Sequence, residues 1–132
     1  MLQDDILKIL GDGGAGVAGT DLVLGPSPEQ PDTTVAIKVY GGDENDYTFK
    51  EGGLASPELE RPRFQVVCRA ASQLTGWTKA RLCRSLLNGF GGTVNGCVYL
   101  RIRILGNLQE FSEDGNLFFR VQANYEAQKY PS

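Results

Sequence analysis

The apolar positions of this chain change period several times, and each change predicts an element. Leu2, Ile6, Ile9 and Leu10 recur at helical spacing, which predicts a short amphipathic helix over residues 2–10. Asp4 and Asp5 fall in its first turn, where the helix dipole favours acids, and Gly11 is the expected stop. Residues 11–33 are rich in Gly, Pro and Asp and read as a loop, with one short extended piece at Leu22-Val23-Leu24 and a turn segment at Pro26, Pro28 and Pro31. From Thr33 to Tyr40 β-branched residues alternate with others, the pattern of a strand whose inward set is Val35, Ile37 and Val39. Arg63 to Ala70 predicts a second strand, with Phe64, Val66, Cys68 and Ala70 on one face.

Between these strands, residues 41–60 run through Gly41-Gly42, Asp43 to Asp46, Gly52-Gly53 and Pro57. This predicts a long loop at about 41–60, of a length that compact domains use for function or leave unstructured. It also holds Tyr47, Phe49 and Leu54, which a merely solvated loop does not need. Thr75 to Asn88 reads as the main helix. Thr75 is its expected cap, Leu82, Cys83, Leu86 and Leu87 its apolar side, and Asn88-Gly89 its stop. Arg81 and Arg84 lie three apart on the polar side, with Trp77 near one end. Asn95-Gly96 predicts a type I′ turn joining Thr93-Val94 to Cys97-Val98. Tyr99 to Leu105 then alternates, with Leu100, Ile102 and Ile104 inward and Arg101 and Arg103 outward. After Asp114-Gly115-Asn116, the segment Leu117 to Glu126 sets Phe119, Val121, Ala123 and Tyr125 against Arg120, Gln122 and Asn124. This order predicts an α+β fold: a largely antiparallel β-sheet covered on one side by two helices, in a single domain.

Composition narrows the function more than the fold. With 132 residues the chain has the length of one ordinary domain, and a hydrophobic share of 41% supplies a core. No run of roughly 18 apolar residues encodes a membrane span, and the first residues lack the basic and apolar regions of a secretory signal. Folding in a cytoplasm, its own cell's or a host's, is the expectation. Cys68, Cys83 and Cys97 are odd in number and lack C-x-x-C spacing, so buried reduced thiols are expected rather than a disulfide framework or a zinc site. Histidine is absent. That removes the usual general base and the commonest transition-metal ligand. No carboxylate pair or nucleophile–base pair can be assigned, and the sequence is read as a non-enzyme without catalytic residue, metal or cofactor.

Charge is segregated. Residues 1–60 carry twelve acids against three bases, a net of −9. Residues 61–103 carry eight bases (Arg61, Arg63, Arg69, Lys79, Arg81, Arg84, Arg101, Arg103) and no acid, and residues 104–132 return to −2. Such blocks pair within the fold, pair between neighbouring subunits, or turn the basic block toward nucleic acid. The overall charge of −3 weakens long-range attraction to phosphate.

Two short motifs fail their structural tests. Gly11, Gly13 and Gly16 spell G-x-G-x-x-G, but a dinucleotide fingerprint needs a strand before it, and here a helix precedes. Asp43 to Asp46 has acids at the start of a calcium loop, yet Thr48 and Leu54 stand where that loop needs Gly and Glu. Arg101, Arg103 and Arg120 lie on a predicted sheet face without the stacking aromatics that an RNA-recognition sheet uses. A second layer or a neighbouring subunit is the expected cover for that face.

Several segments, taken in order, carry a family resemblance. Thr34-Val35-Ala36-Ile37 leads into Tyr40-Gly41-Gly42; Glu60-Arg61-Pro62-Arg63-Phe64-Gln65-Val66 follows, then the Lys79-to-Leu87 helix, Tyr99-Leu100-Arg101-Ile102, and the closing Asp114-Gly115-Asn116-Leu117-Phe118. This series resembles the small minor capsid proteins of long-tailed bacteriophages, many of which look like tail terminators. The resemblance covers most of residues 1–126, and its most specific element is the Arg-Pro-x-Phe-Gln-Val opening of the second strand. Residues 11–33 depart from it in being richer in Gly and Pro.

The resemblance implies a structural virion protein. It would form a homo-oligomeric ring, typically a hexamer, at the top of the tail in the phage neck, assembled in the host cytoplasm. The ring would end the tail tube, contact the tail tube protein, and join the head-completion or connector protein, with genomic DNA only as passing cargo. Another neck component, a head-completion or connector protein, is the nearest alternative, and a nucleic-acid-binding module using the basic block is a further one. The expected interface residues are Tyr47, Phe49, Leu54, Arg61, Arg81, Arg84, Arg101 and Arg103, and no membrane contact is implied.

Overall fold

A computed structural model describes residues 2–25, 33–43, 60–112 and 119–130. The order of elements is α1 (Leu2–Asp12), β1 (Leu22–Leu24), β2 (Thr34–Asp43), β3 (Arg61–Ala70), α2 (Gln73–Leu87), β4 (Gly92–Val94), β5 (Cys97–Ser112) and β6 (Phe119–Lys129). The strands form one six-stranded sheet in the order β1-β2-β3-β6-β5-β4. Every neighbouring pair is antiparallel except β1 with β2. The architecture is α+β, a mostly β half-barrel with two helices. Its curl is visible in α1, which touches both β1 and β4, the two edges of the sheet.

Both helices pack on the concave face. Ile6, Leu10 and Leu22 meet Val35 and Ile37 of β2, while Ala80, Cys83 and Leu87 of α2 cover Phe64, Val66 and Cys68 of β3 and Val121 and Ala123 of β6. At the centre Phe64 stacks on its register partner Tyr125, ring centroids 5.3 Å apart. The predicted inward sets of β2 and β3 are the buried ones, with Val39 only partly covered at the end of its row.

The ends of elements differ from the sequence reading in instructive ways. Helix α1 does not stop at Gly11 but runs one residue further, to Asp12. Gly14, at φ +84°, takes the left-handed position; its N–H bonds Gly11 O at 3.1 Å and the next N–H, of Ala15, bonds Leu10 O at 2.9 Å. That is the paired bonding of a Schellman stop, which needs its glycine after the last helical turn. Helix α2 begins at Gln73, with Ser72 as N-cap, so Thr75 lies inside the helix instead of capping it. Of the loop predicted over 41–60, residues 44–59 lie outside the described residues, and both ends belong to the sheet. Gly41 to Asp43 continue β2 past a register shift at Tyr40, and Glu60 bridges Lys129 before β3 begins.

The largest correction concerns Leu100. Strict alternation puts it inward with Ile102 and Ile104, yet it is exposed and Tyr99 is buried instead. The register of β5 against β6 shifts between Tyr99 and Arg101. A bulge inserts one residue there and reverses the faces on its two sides. Phe119, predicted inward, is only half-buried at the start of β6, and that strand continues beyond Glu126 to Lys129 with Ala127 in the core.

Candidate functional site

Among the described residues no helix lies on the convex face of the sheet, and the rows of that face follow from the strand registers. Lys38, Gln65, Asn124 and Leu105 form one row; Arg63, Glu126 and Arg103 form the next; Gln128 and Arg101 follow. Arg63 Nε donates to Glu126 Oε2 at 3.4 Å and Arg103 Nη2 to Glu126 Oε1 at 3.3 Å. The carboxylate is 7% exposed, whereas the two arginine side chains are 50% and 45% exposed. One sheltered acid thus orders two cations that still meet water. Gln65 Nε2 donates to Asn124 Oδ1 at 3.3 Å in the adjoining row.

The predicted interface residues divide between surfaces. Arg101 and Arg103 lie together on the convex face, exposed, as their outward alternation predicts. Arg61 opens β3 half-buried and is engaged by a partner of its own. Arg81 and Arg84 project from α2, on the opposite layer, and do not join that group. Arg81 sits over the Trp77 ring, 5.6 Å from its centroid. Trp77 Nε1 and Gln73 Nε2 both donate to Glu110 of β5, at 2.9 and 3.1 Å, which ties the start of α2 to the far end of that strand. Tyr47, Phe49 and Leu54 lie outside the described residues.

Sequence reasoning passed over Glu126, Arg63 and Lys38 as members of one face. The signal was present: Arg63 and Gln65, like Asn124 and Glu126, occupy the outward phase of alternating strands. What the pattern does not carry is the register that lays those phases side by side.

On the concave side a polar lock holds α1 to the β4–β5 hairpin. Asp5 is 1% exposed, yet accepts from Tyr99 Oη at 2.5 Å and from Asn95 Nδ2 at 3.0 Å. Burial, and after it the bond to Asp5, raise the Tyr99 hydroxyl far above the usual tyrosine range. Asn95 and Gly96 have φ of +50° and +79°, the positive pair a type I′ turn requires. The turn therefore both reverses the chain and aims a donor at Asp5. Cys68 and Cys83 meet across the β3–α2 interface at 4.0 Å between sulfurs. Their mutual hydrogen bond and burial push the Cys68 thiol well up, the environment of an inert thiol. Burial likewise raises Tyr125.

The described residues define one fold, a curled six-stranded sheet with both helices on its concave side. It is shared, at 15% identity and a TM-score of 0.65, with a chain in the solved structure of the virion of a native gene transfer agent particle, over 98% of this chain and 95% of that one. A second solved chain matches at 16% identity and a TM-score of 0.55, over 99% and 96%. No curated protein matches the sequence. The family model of the bacteriophage tail terminator protein matches residues 9–130, nearly the whole chain, and the chain belongs to that family. It is a tail-associated structural protein of the phage virion.

Proposed function

We propose that copies of this chain close into a ring, a hexamer, that ends the tail tube and presents a seat for the head-completion or connector protein in the phage neck. The whole chain acts as one terminator domain, assembles in the host cytoplasm, and works through surfaces rather than through catalysis. Membership of the tail terminator family carries this reading. The charge distribution supports it. Arg63 and Arg103 share one carboxylate, that of Glu126, so the row keeps a positive charge in excess that an acid of a neighbouring subunit would meet. A closed ring repeats one heterologous contact, and complementary charge on its two sides fixes the register. The segment 44–59, with Tyr47, Phe49 and Leu54, is proposed to meet the tube or an adjacent subunit.

The test adds purified protein to polymerising tail tube protein and measures tube length by electron microscopy. Light scattering of the protein alone gives its stoichiometry. Short tubes capped at one end, with a ring-sized species in solution, support the proposal. Unaltered tube length and a strict monomer at every concentration refute it. A ring found against the portal side of a neck, away from the tube, would favour another neck component.

A further inference from the structure

Helix α2 meets β3 through a row of small side chains. Its buried residues are Gly76, Ala80 and Cys83, with Leu87 at the end. Such a row lets the helix backbone come close to the strand. A methyl group placed on Gly76 would lie 3.8 Å from Ala70 Cβ of β3 and 3.5 Å from Val121 Cγ2 of β6. Two turns further along the same helix face, Cys83 meets Cys68, which shares the inward face of β3 with Ala70, and the two sulfurs are 4.0 Å apart. A disulfide spans a Cβ–Cβ separation of about 3.5–4.5 Å. The spacing of α2 and β3 beside the pair already falls in that range. A sulfur–sulfur bond therefore needs side-chain rotation and a small closure, not a new packing. Cys97, the third thiol, bonds Tyr130 O at 3.4 Å instead.

We infer that Cys68 and Cys83 form a redox latch, a dithiol during assembly and a disulfide once a small peroxide reaches the released particle. The link is a property of the fold. Its timing rests on the reading above, in which the chain assembles in a reducing cytoplasm and leaves it in the virion. Their mutual bond, and after it burial, hold the Cys68 proton tightly, so Cys83 makes the first attack. As thiolate it takes one oxygen of the peroxide, becomes a sulfenic acid and expels hydroxide, which regains the proton Cys83 had released. Cys68 then attacks that sulfur, and its proton leaves with the sulfenic hydroxyl as water. Two thiols lose two electrons and two protons, and one peroxide becomes two waters. Both residues are 1% exposed, which keeps the reaction slow and shields the finished bond from reducing thiols.

The experiment treats the purified full-length chain with hydrogen peroxide, or with dithiothreitol, and reads it by mass spectrometry and thermal unfolding. Peroxide should lower the intact mass by about 2 Da and yield one peptide joining Cys68 to Cys83 in a non-reducing digest. The two cysteines lie fifteen positions apart, and closing such a loop should raise the melting temperature by roughly 10 °C, reversed by dithiothreitol. Cys97→Ser should keep both effects. Cys68→Ala and Cys83→Ala should each abolish the difference between oxidised and reduced samples, whatever their starting stability. Wild-type Cys68 and Cys83 that stay thiols, or pass to sulfinic acid without linking, overturn the inference, as does a link that leaves the melting temperature unchanged or lowers it. Released particles whose two cysteines are trapped by iodoacetamide as thiols overturn the timing. A chain that links yet stays a monomer in light scattering removes the ring and leaves the latch standing.

Discussion

Replacing Tyr99 with Phe removes one hydroxyl and little else, because the ring keeps its place in the core beside Phe90. The hydroxyl is one of two donors to Asp5, an acid that is 1% exposed. A hydrogen bond to a charged group contributes about 1.5–3 kcal/mol, and a buried acceptor left short of donors costs at the upper end of that range. The expected loss is therefore about 2 kcal/mol, a large part of the 5–15 kcal/mol that holds a typical domain. With a urea m-value near 2 kcal/mol/M, the midpoint should fall by about 1 M without a change in slope. Asp5→Asn in the same assay completes a double-mutant cycle. The two changes should couple by about 1 kcal/mol or more, since both remove the same contact. A Tyr99→Phe midpoint within about 0.25 M of wild type, together with an additive cycle, would refute the claim that this contact pins α1 to the hairpin.

Stability should also fall in alkali. Tyr99 and Tyr125 hold their protons more tightly in the folded chain than in the unfolded one. Their contribution is complete below the ordinary tyrosine value of about 10 and is lost as pH rises above it, because only the unfolded chain then ionises readily. Urea midpoints measured from pH 8 to about pH 11 should decline, and less steeply in Tyr99→Phe. Trp77, the sole tryptophan, reports on the α2–β5 contact: Glu110→Ala should shift its emission to the red while costing no more than about 1 kcal/mol, because the bond lies at an exposed position. Gly96→Val should cost about 1–2 kcal/mol in thermal unfolding, as its φ of +79° is one that a β-branched residue resists.

The sequence by itself determined the element types and, for most of them, which side faces the core. Period-2 runs such as Val35-Ile37 and Phe64-Val66-Cys68 expose their apolar face directly, and the Asn95-Gly96 turn states its geometry in two residues. Family membership was legible too, from ordered segments spread across the chain. Tertiary structure decided what local pattern leaves open. Alternation cannot register a bulge, so only pairing with β6 reveals that Tyr99 enters the core and Leu100 leaves it. Nor can it bring Arg63 and Arg103, forty residues apart, onto the two oxygens of Glu126, or set Asp5 of the first helix under a hydroxyl of the fifth strand. Those contacts depend on strand order and register, which arise from closing distant segments around one core, and the charge blocks acquire a surface only once that closure has happened.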